Sequence, residues 1–321
     1  MVFKFKKQVN LIIKDRLLRY IVSTNSTIES IVDSGEIILE PGLLEDGKLI
    51  NDKSLQVVLE QLVKNKKWNN LPLSFCVPDS SVTIREQLVP KGLTKEEIKS
   101  YINMELEESI RLPFIDPIID FVIIGEEKDQ AKILLFAYPK QRVNEFLQIF
   151  QKSGLKPKVA DLSSLSIYRL YYQLDLPEDN EHLLLVQWGK DASVLTAFNQ
   201  NKPVFTRYIK STLDRNSWSW STADNDLLWT GDDEEISQLI EDQLVTIDRF
   251  MEFYQYSVMD GNEEISKILL TGDFPNLEQI ELLLKDRFIV TIDSMKKMED
   301  KLKHPAKYAD AIGLAVKSKN K

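Results

Sequence analysis

A single cysteine, Cys76, stands in 321 residues, so an intrachain disulfide and a thiolate metal cluster are both excluded. It lies inside an apolar run and reads as a small core residue, and this sparing use of thiols fits a reducing cytoplasm. Histidine is nearly as scarce. His182 and His304 are far apart, have no ligand spacing for zinc and read as surface or packing residues. Positive charge is not in excess: 41 Lys and Arg against 50 Asp and Glu leave a net charge of -9, which argues against a dedicated nucleic-acid surface. No apolar run approaches the ~20 residues a membrane span needs. The opening "MVFKFKKQVNLIIKDRLL" is broken by Lys14, Asp15 and Arg16, and so is expected to be neither a signal-peptide core nor a span. Its alternation of Val2, Phe3 and Phe5 with Lys4, Lys6 and Lys7 leaves two readings: a solvated leader into a first strand, or a contact with an anionic bilayer.

What is present is globular. Hydrophobic residues make up 43% and charged residues 28%, and the length favours two lobes, each with its own core. Strands are expected around residues 9–14, 17–23 and 28–32, followed by a helix from Ser54 with Leu55, Val58, Leu59, Leu62 and Val63 on one face, and a strand at "LPLSFCV". In the next unit "SVTIREQLV" reads as a strand and "LTKEEIKSYINMELEESI" as a helix capped by Thr94 and Glu97. The strands "IIDFVII" and "AKILLFAY", a helix ending at Gly154 and the strand "KPKVADL" complete it. The order β-α-β-β-α-β is that of a split βαβ subdomain, with two helices on one face of a sheet.

Residues 181–210 read as a three-strand meander with turns at Gly189 and at Asn199 to Lys202. Residues 213–235 are polar but hold Trp218, Trp220 and Trp229, either packed inward from a loop or hairpin or exposed for a partner. A long amphipathic helix carries Ile236, Leu239, Ile240, Leu244, Ile247, Met251 and Tyr254 as a stripe. Then "KILLTGDFPNLEQIELLLKD" reads as strand, tight turn and helix, with Asp273 or Asn276 as its cap. Such a turn can offer backbone N–H groups to an anionic ligand.

This doubled layout resembles the actin-like superfamily in its bacterial cell-division variant. The string "CVPDSSVTIREQLVPKGLTKEEIKSYINMELEESIRLPFIDPIIDFVII" resembles PilM-type pilus assembly proteins. "FLQIFQKSGLKPKVADLSSLSIYRL", "ILLTGDFPNLEQIELLL" and "YADAIGLAVK" resemble the same family in the same order. The matching positions are Pro113, Phe114, Asp120, Gly154, Leu155, Asp161, Gly189, Arg249, Gly272, Gly313 and Leu314. Gly154 suits a helix C-cap, and Asp161 could cap the helix that follows it. The resemblance implies an α/β, actin-like (ribonuclease H-like) two-lobed fold with the β-α-β-β-α-β insertion. Residues 1–81 and 161–180 would form the first lobe, 82–160 the insertion and 181–321 the second lobe, with a smaller subdomain at about 211–262. The C-terminal helix could return to the first lobe.

The same resemblance implies a cytoplasmic protein that binds the tail of a membrane partner, PilN, beside the inserted subdomain, and that can bind ATP. Four departures bear on the nucleotide. Lys14, Asp15, Arg16 and Leu17 stand where the family has a glycine-bearing phosphate turn. Gln187 and Trp188 replace residues next to Gly189, including an acidic Mg²⁺-organising one. Asp273 replaces the glycine after Gly272, and Thr246 replaces a glutamate near Arg249. Gly189, Arg249, Gly272 and Asp273 are thus the remnants of a nucleotide site. The expectation is a degenerate pocket with no cofactor; weak binding of ATP with Mg²⁺ is the alternative.

The leading functional expectation is a non-catalytic scaffold of a type IV pilus or competence-type pseudopilus machine. It would be recruited to the inner face of the cell membrane by a PilN-like tail, alongside other pilus assembly proteins. Val82, Ile84, Leu88, Phe121 and Ile123 are the groove candidates. The rivals are an actin-fold ATPase or small-molecule kinase using Asp161 as base, and a self-associating filament.

Overall fold

The computed structural model describes residues 7–106, 108–222 and 226–318; most of the N-terminal lysine and phenylalanine alternation lies outside them. The first lobe opens with strands β1 (Gln8–Ile13), β2 (Leu17–Ser23) and β3 (Ile31–Ile38). A two-residue ribbon, β4 (Leu44–Glu45) and β5 (Lys48–Leu49), leads into helix α1 (Asp52–Lys66) and strand β6 (Pro72–Cys76). Asn51 caps α1 by accepting the N–H of Ser54, and Leu55, Leu59, Leu62 and Val63 bury its apolar face. The third strand runs later than its expected place at 28–32. Its polar "DSGE" centre hides the alternation, because Tyr20 covers Gly35 so closely that a Cβ there would meet the phenol oxygen at 2.5 Å.

The inserted unit comprises β7 (Thr83–Pro90), α2 (Lys95–Glu105), β8 (Pro117–Glu127) and β9 (Gln130–Pro139). Thr94 and Glu97 form the expected capping box. Helix α3 (Lys140–Lys152) and strand β10 (Lys156–Asp161) follow in the expected order, but the sheets divide differently from a split βαβ unit. The inserted sheet has the order β7-β9-β8, and β10 joins the first-lobe sheet, β10-β6-β1-β2-β3, parallel to β6. The reason is the face of α3. Val143, Phe146, Ile149 and Phe150 complete the core beneath β6, where Phe150 meets Phe75 edge-on at 5.0 Å. Each such burial contributes about 1.5–3 kcal/mol, so α3 and its strand follow the larger core and leave α2 alone on the inserted sheet.

Helix α4 (Ser163–Gln173) leads to the second lobe: β11 (His182–Trp188), β12 (Ala192–Asn199), β13 (Lys202–Lys210), β14 (Trp218–Ser221), β15 (Asp226–Trp229) and α5 (Asp233–Phe253). After α5 come β16 (Lys267–Gly272), α6 (Leu277–Arg287), β17 (Thr291–Ser294), α7 (Glu299–Leu302) and α8 (Ala309–Ala315). Its sheet, β13-β12-β11-β16-β17, repeats the order of the first: an antiparallel meander, then two parallel strands. Strands β14 and β15 form a hairpin in which Trp218 is buried against Trp229, ring centroids 5.2 Å apart, while Trp220 is 41% exposed. Helices α4 and α8 lie between the two sheets, joining Ile12, Ile21 and Cys76 of the first lobe to Leu183, Leu185 and Leu269 of the second. Gly313 allows this crossing, since a Cβ there would lie 1.9 Å from the carbonyl oxygen of Ser166.

Candidate functional site

Two of the concave sites between these units hold candidate residues. The first is the cleft where the β1–β2 turn, the β11–β12 turn and the β16–α6 loop converge. It holds a cavity of about 80 Å³ lined by Lys14, Asp15, Asp79, Gln187, Gly189, Asp191, Gly272 and Asp310 among others. That is room for a few water molecules. Sites enclosing a drug-sized ligand run to about 300–1,000 Å³.

The cleft is crossed by ion pairs. Asp273 receives Lys14 Nζ at 3.1 Å and Arg19 Nη2 at 2.9 Å. Arg19, 1% exposed in the middle of β2, also donates from Nε to Glu36 at 2.8 Å and from Nη1 to Asp310 at 3.1 Å. Lys307 meets Glu36 at 2.5 Å. Three cations therefore face three carboxylates. Burial would raise the Asp273 carboxyl, but Lys14, Arg19 and Lys190 outweigh it and hold the group well below the usual carboxylate range. Deeper in the cleft burial wins: Asp79 and Asp191 are each pushed up to about 6, Asp191 also by the charges of Asp15 and Asp273.

The first turn has its own role. Asp15 accepts the N–H groups of Asp46 and Gly47 at 2.7 and 2.9 Å, and Arg215 from the second lobe at 2.9 Å. Arg16 donates to the carbonyl oxygens of Leu39 and Arg215. All of these side chains are engaged with the protein itself.

Gly272 and Gly189 have backbone reasons. Gly272, at φ 137, pairs with Trp188 across β16 and β11, and a Cβ on it would lie 2.0 Å from the Trp188 carbonyl oxygen. Gly189 closes its turn by donating to the Ala192 carbonyl oxygen at 3.0 Å. Gln187 Nε2 and Asp191 Oδ1 have no protein partner. Arg249 lies exposed on α5 and does not line the cavity, and the Thr246 hydroxyl donates to the Asp242 carbonyl within the same helix. Neither Asp273 nor Asn276 caps α6 with its side chain: Asp273 is taken by Lys14 and Arg19, and Asn276 adopts a left-handed conformation with its side chain unengaged.

Asp161 does not cap α4 either. Its carboxylate accepts from Arg169 and Lys317, each at 2.9 Å, and it lines the second concave site rather than the first. His182 is buried against the Tyr254 hydroxyl at 2.6 Å, and Cys76 is buried with its thiol pushed well up by the loss of solvent. Among the described residues, no group of three His, Cys, Asp or Glu is arranged to hold a metal ion.

The second site is a groove of about 650 Å³ between the inserted sheet and the two lobes. Its floor is the sheet face opposite α2, with Ile118, Asp120, Val122, Leu134 and Phe136; Leu162 and Leu165 form a wall, and Lys202 with Pro203 closes one end. Of the groove candidates, Val82 and Ile123 line it. Ile84 is buried and Leu88 half-buried away from it, and Phe121 points to the other face, into the core under α2. The alternation of β8 explains the difference: Phe121 and Val122 must face opposite sides. Sequence reading missed Ile118 and Val122, although both carry the period-2 signal.

Two sheets of the same order with paired helices between them define an actin-like ATPase fold. A model of the family described as type IV pilus assembly protein PilM matches residues 22–211, and the chain belongs to that family. Among solved structures, a PilM–PilN type IV pilus biogenesis complex is similar over 97% of this chain and 99% of its own, with TM-score 0.76 and 18% identity. A Bacteroides thetaiotaomicron protein with actin-like ATPase fold is similar over 99% and 100%, at TM-score 0.51 and 12% identity. The ethanolamine utilization protein EutJ of Carboxydothermus hydrogenoformans is similar over 97% and 89%, at TM-score 0.52 and 7% identity. No curated protein gives a significant sequence match. No helix among the described residues is long and apolar enough to cross a membrane.

Proposed function

We propose that this type IV pilus assembly protein is a non-catalytic adaptor at the inner face of the membrane. Its groove beside the inserted sheet would hold an extended cytoplasmic tail of a PilN-like membrane protein. The carrying observation is the groove itself: Ile118 and Val122 stand 40% and 50% exposed on β8, an edge strand with one side unpaired. A peptide laid along that edge gains main-chain hydrogen bonds, and alternate apolar side chains enter the groove. The similarity to a PilM–PilN complex supports this choice of partner.

The nucleotide cleft is, in this reading, degenerate. A phosphate turn needs backbone N–H groups free and space beside them; here Lys14 and Asp15 engage protein partners, Asp273 occupies the approach, and the cavity is small. ATP and Mg²⁺ do not fit this arrangement, and no catalytic step is assigned to it. Calorimetric titration with the tail peptide of the PilN-like protein, and separately with ATP and Mg²⁺, tests both parts. Peptide binding without ATP binding supports the adaptor. Failure of the peptide to bind overturns it, and micromolar ATP binding restores the ATPase reading.

A further inference from the structure

The Asp273 carboxylate has the surroundings of a bound anion. Oδ2 accepts from Lys14 at 3.1 Å and Arg19 at 2.9 Å, and Oδ1 accepts the backbone N–H of Lys190 at 3.3 Å. The side chain is 2% exposed. The donors come from both sides of the cleft: Lys14 and Arg19 from the first lobe, the Lys190 amide from the turn of the second lobe that follows Gly189. The glycine makes room, because a Cβ at Gly189 would lie 3.3 Å from Oδ1. Two cations and a turn amide around one carboxylate are the donor set that a small oxyanion such as phosphate would select.

We propose that Asp273 is a built-in anion, a tethered carboxylate that fills an oxyanion site made by Lys14, Arg19 and the Lys190 amide, and so joins the lobes without a phosphate-bearing ligand. The inference rests on the nucleotide-poor reading of the cleft. Its physical content is different from simple loss of a pocket. A tethered group gives up none of the translational freedom that a free ligand loses on binding, so lobe closure does not depend on ligand concentration. Glu36 and Asp310 balance part of the charge of Arg19, whereas Lys14 has Asp273 as its ion-pair partner. Removing the carboxylate therefore leaves Lys14 without its ion-pair partner and the buried Arg19 with two of its three carboxylates, and opens a site for a small oxyanion.

The test is thermal unfolding of the full chain and of Asp273→Gly and Asp273→Asn, in inorganic phosphate or pyrophosphate and in chloride of matched ionic strength. We expect the wild type to unfold at the same temperature in all three. Both variants should unfold at least about 5 °C lower in chloride. Millimolar phosphate or pyrophosphate should return most of that loss to Asp273→Gly, and less to Asp273→Asn, whose amide still fills the space. Adding Lys14→Ala to Asp273→Gly should abolish the rescue. An Asp273→Gly chain as stable as wild type, or one that oxyanions rescue no better than chloride, overturns the inference. If the variant is recovered only as aggregate, refolding with and without pyrophosphate supplies the same decision, and equal failure in both overturns it. Stabilisation of the wild type by ATP would instead overturn the nucleotide-poor reading beneath it. The tail peptide should bind Asp273→Gly like the wild type, because Asp273 is outside the groove.

Discussion

Lys14 Nζ and Asp273 Oδ2 meet at 3.1 Å across the cleft, although 259 positions separate them in the chain. Each is a charged side chain in a turn at the cleft, and the two satisfy each other. The pair explains why neither has a role legible from its own neighbours in the chain: the partner of each lies in the other lobe.

The pair makes stability depend on pH in a definite direction. The folded-state pKa of Asp273 is depressed, so its contribution is present above the unfolded value of about 3.9 and is lost as pH falls toward the folded one. Asp273→Asn should cost about 3–5 kcal/mol near neutrality. Chemical unfolding from pH 8 to pH 2.5 should show a constant gap between wild type and variant down to about pH 4. The gap should then narrow.

Asp79 and Asp191 should behave oppositely. Each is pushed up to about 6, so between the unfolded value and about 6 the folded state binds more protons, and stability falls as pH rises through that window. Asp191→Asn should stabilise the protein by about 1–3 kcal/mol at pH 8 and by little at pH 4. Thermal scans at the two pH values check this; an equal effect at both would contradict it.

In the groove, Val122→Asp places a charge on an exposed, apolar position of β8. Tail-peptide affinity should fall at least about tenfold, with unfolding temperature nearly unchanged. Phe121→Ala, one residue away but buried under α2, should instead cost about 3–5 kcal/mol of stability. Calorimetry and denaturant unfolding of both variants separate recognition from packing.

Gly313→Ala should fail at the crossing of α4 and α8. Its Cβ would sit 1.9 Å from the Ser166 carbonyl oxygen, which is backbone and cannot rotate away. A loss of about 1–3 kcal/mol or more is expected from overpacking. The central core should loosen first, seen as faster amide exchange in α8 than in α1.

Cys76 should resist alkylation in the native state, being buried and with its thiol pushed up, and react only once denaturant opens the core.

Local pattern was enough for much of the fold. The stripe on α1, the Thr94 and Glu97 box, the apolar run of β11 and the glycine end of α3 all follow from contacts within a few residues. These signals survive because propensity and packing agree. The assignment of α3 and β10 was not legible, since both sheets accept a strand followed by a helix; the choice went to the larger core around Phe75 and Phe150. Arg19 left one trace, a lone arginine in the apolar stretch "LLRYIVS", but its three carboxylate partners lie 17, 254 and 291 residues away.

Residue order and periodicity thus settled the doubled α/β architecture, because it depends on neighbours along the chain. Which charges face one another in the cleft, and which side of β8 faces the groove, depended on how two lobes and an insertion pack. Interactions between elements hundreds of residues apart carry no local period, and for that reason they emerge only when the cores have brought the elements together.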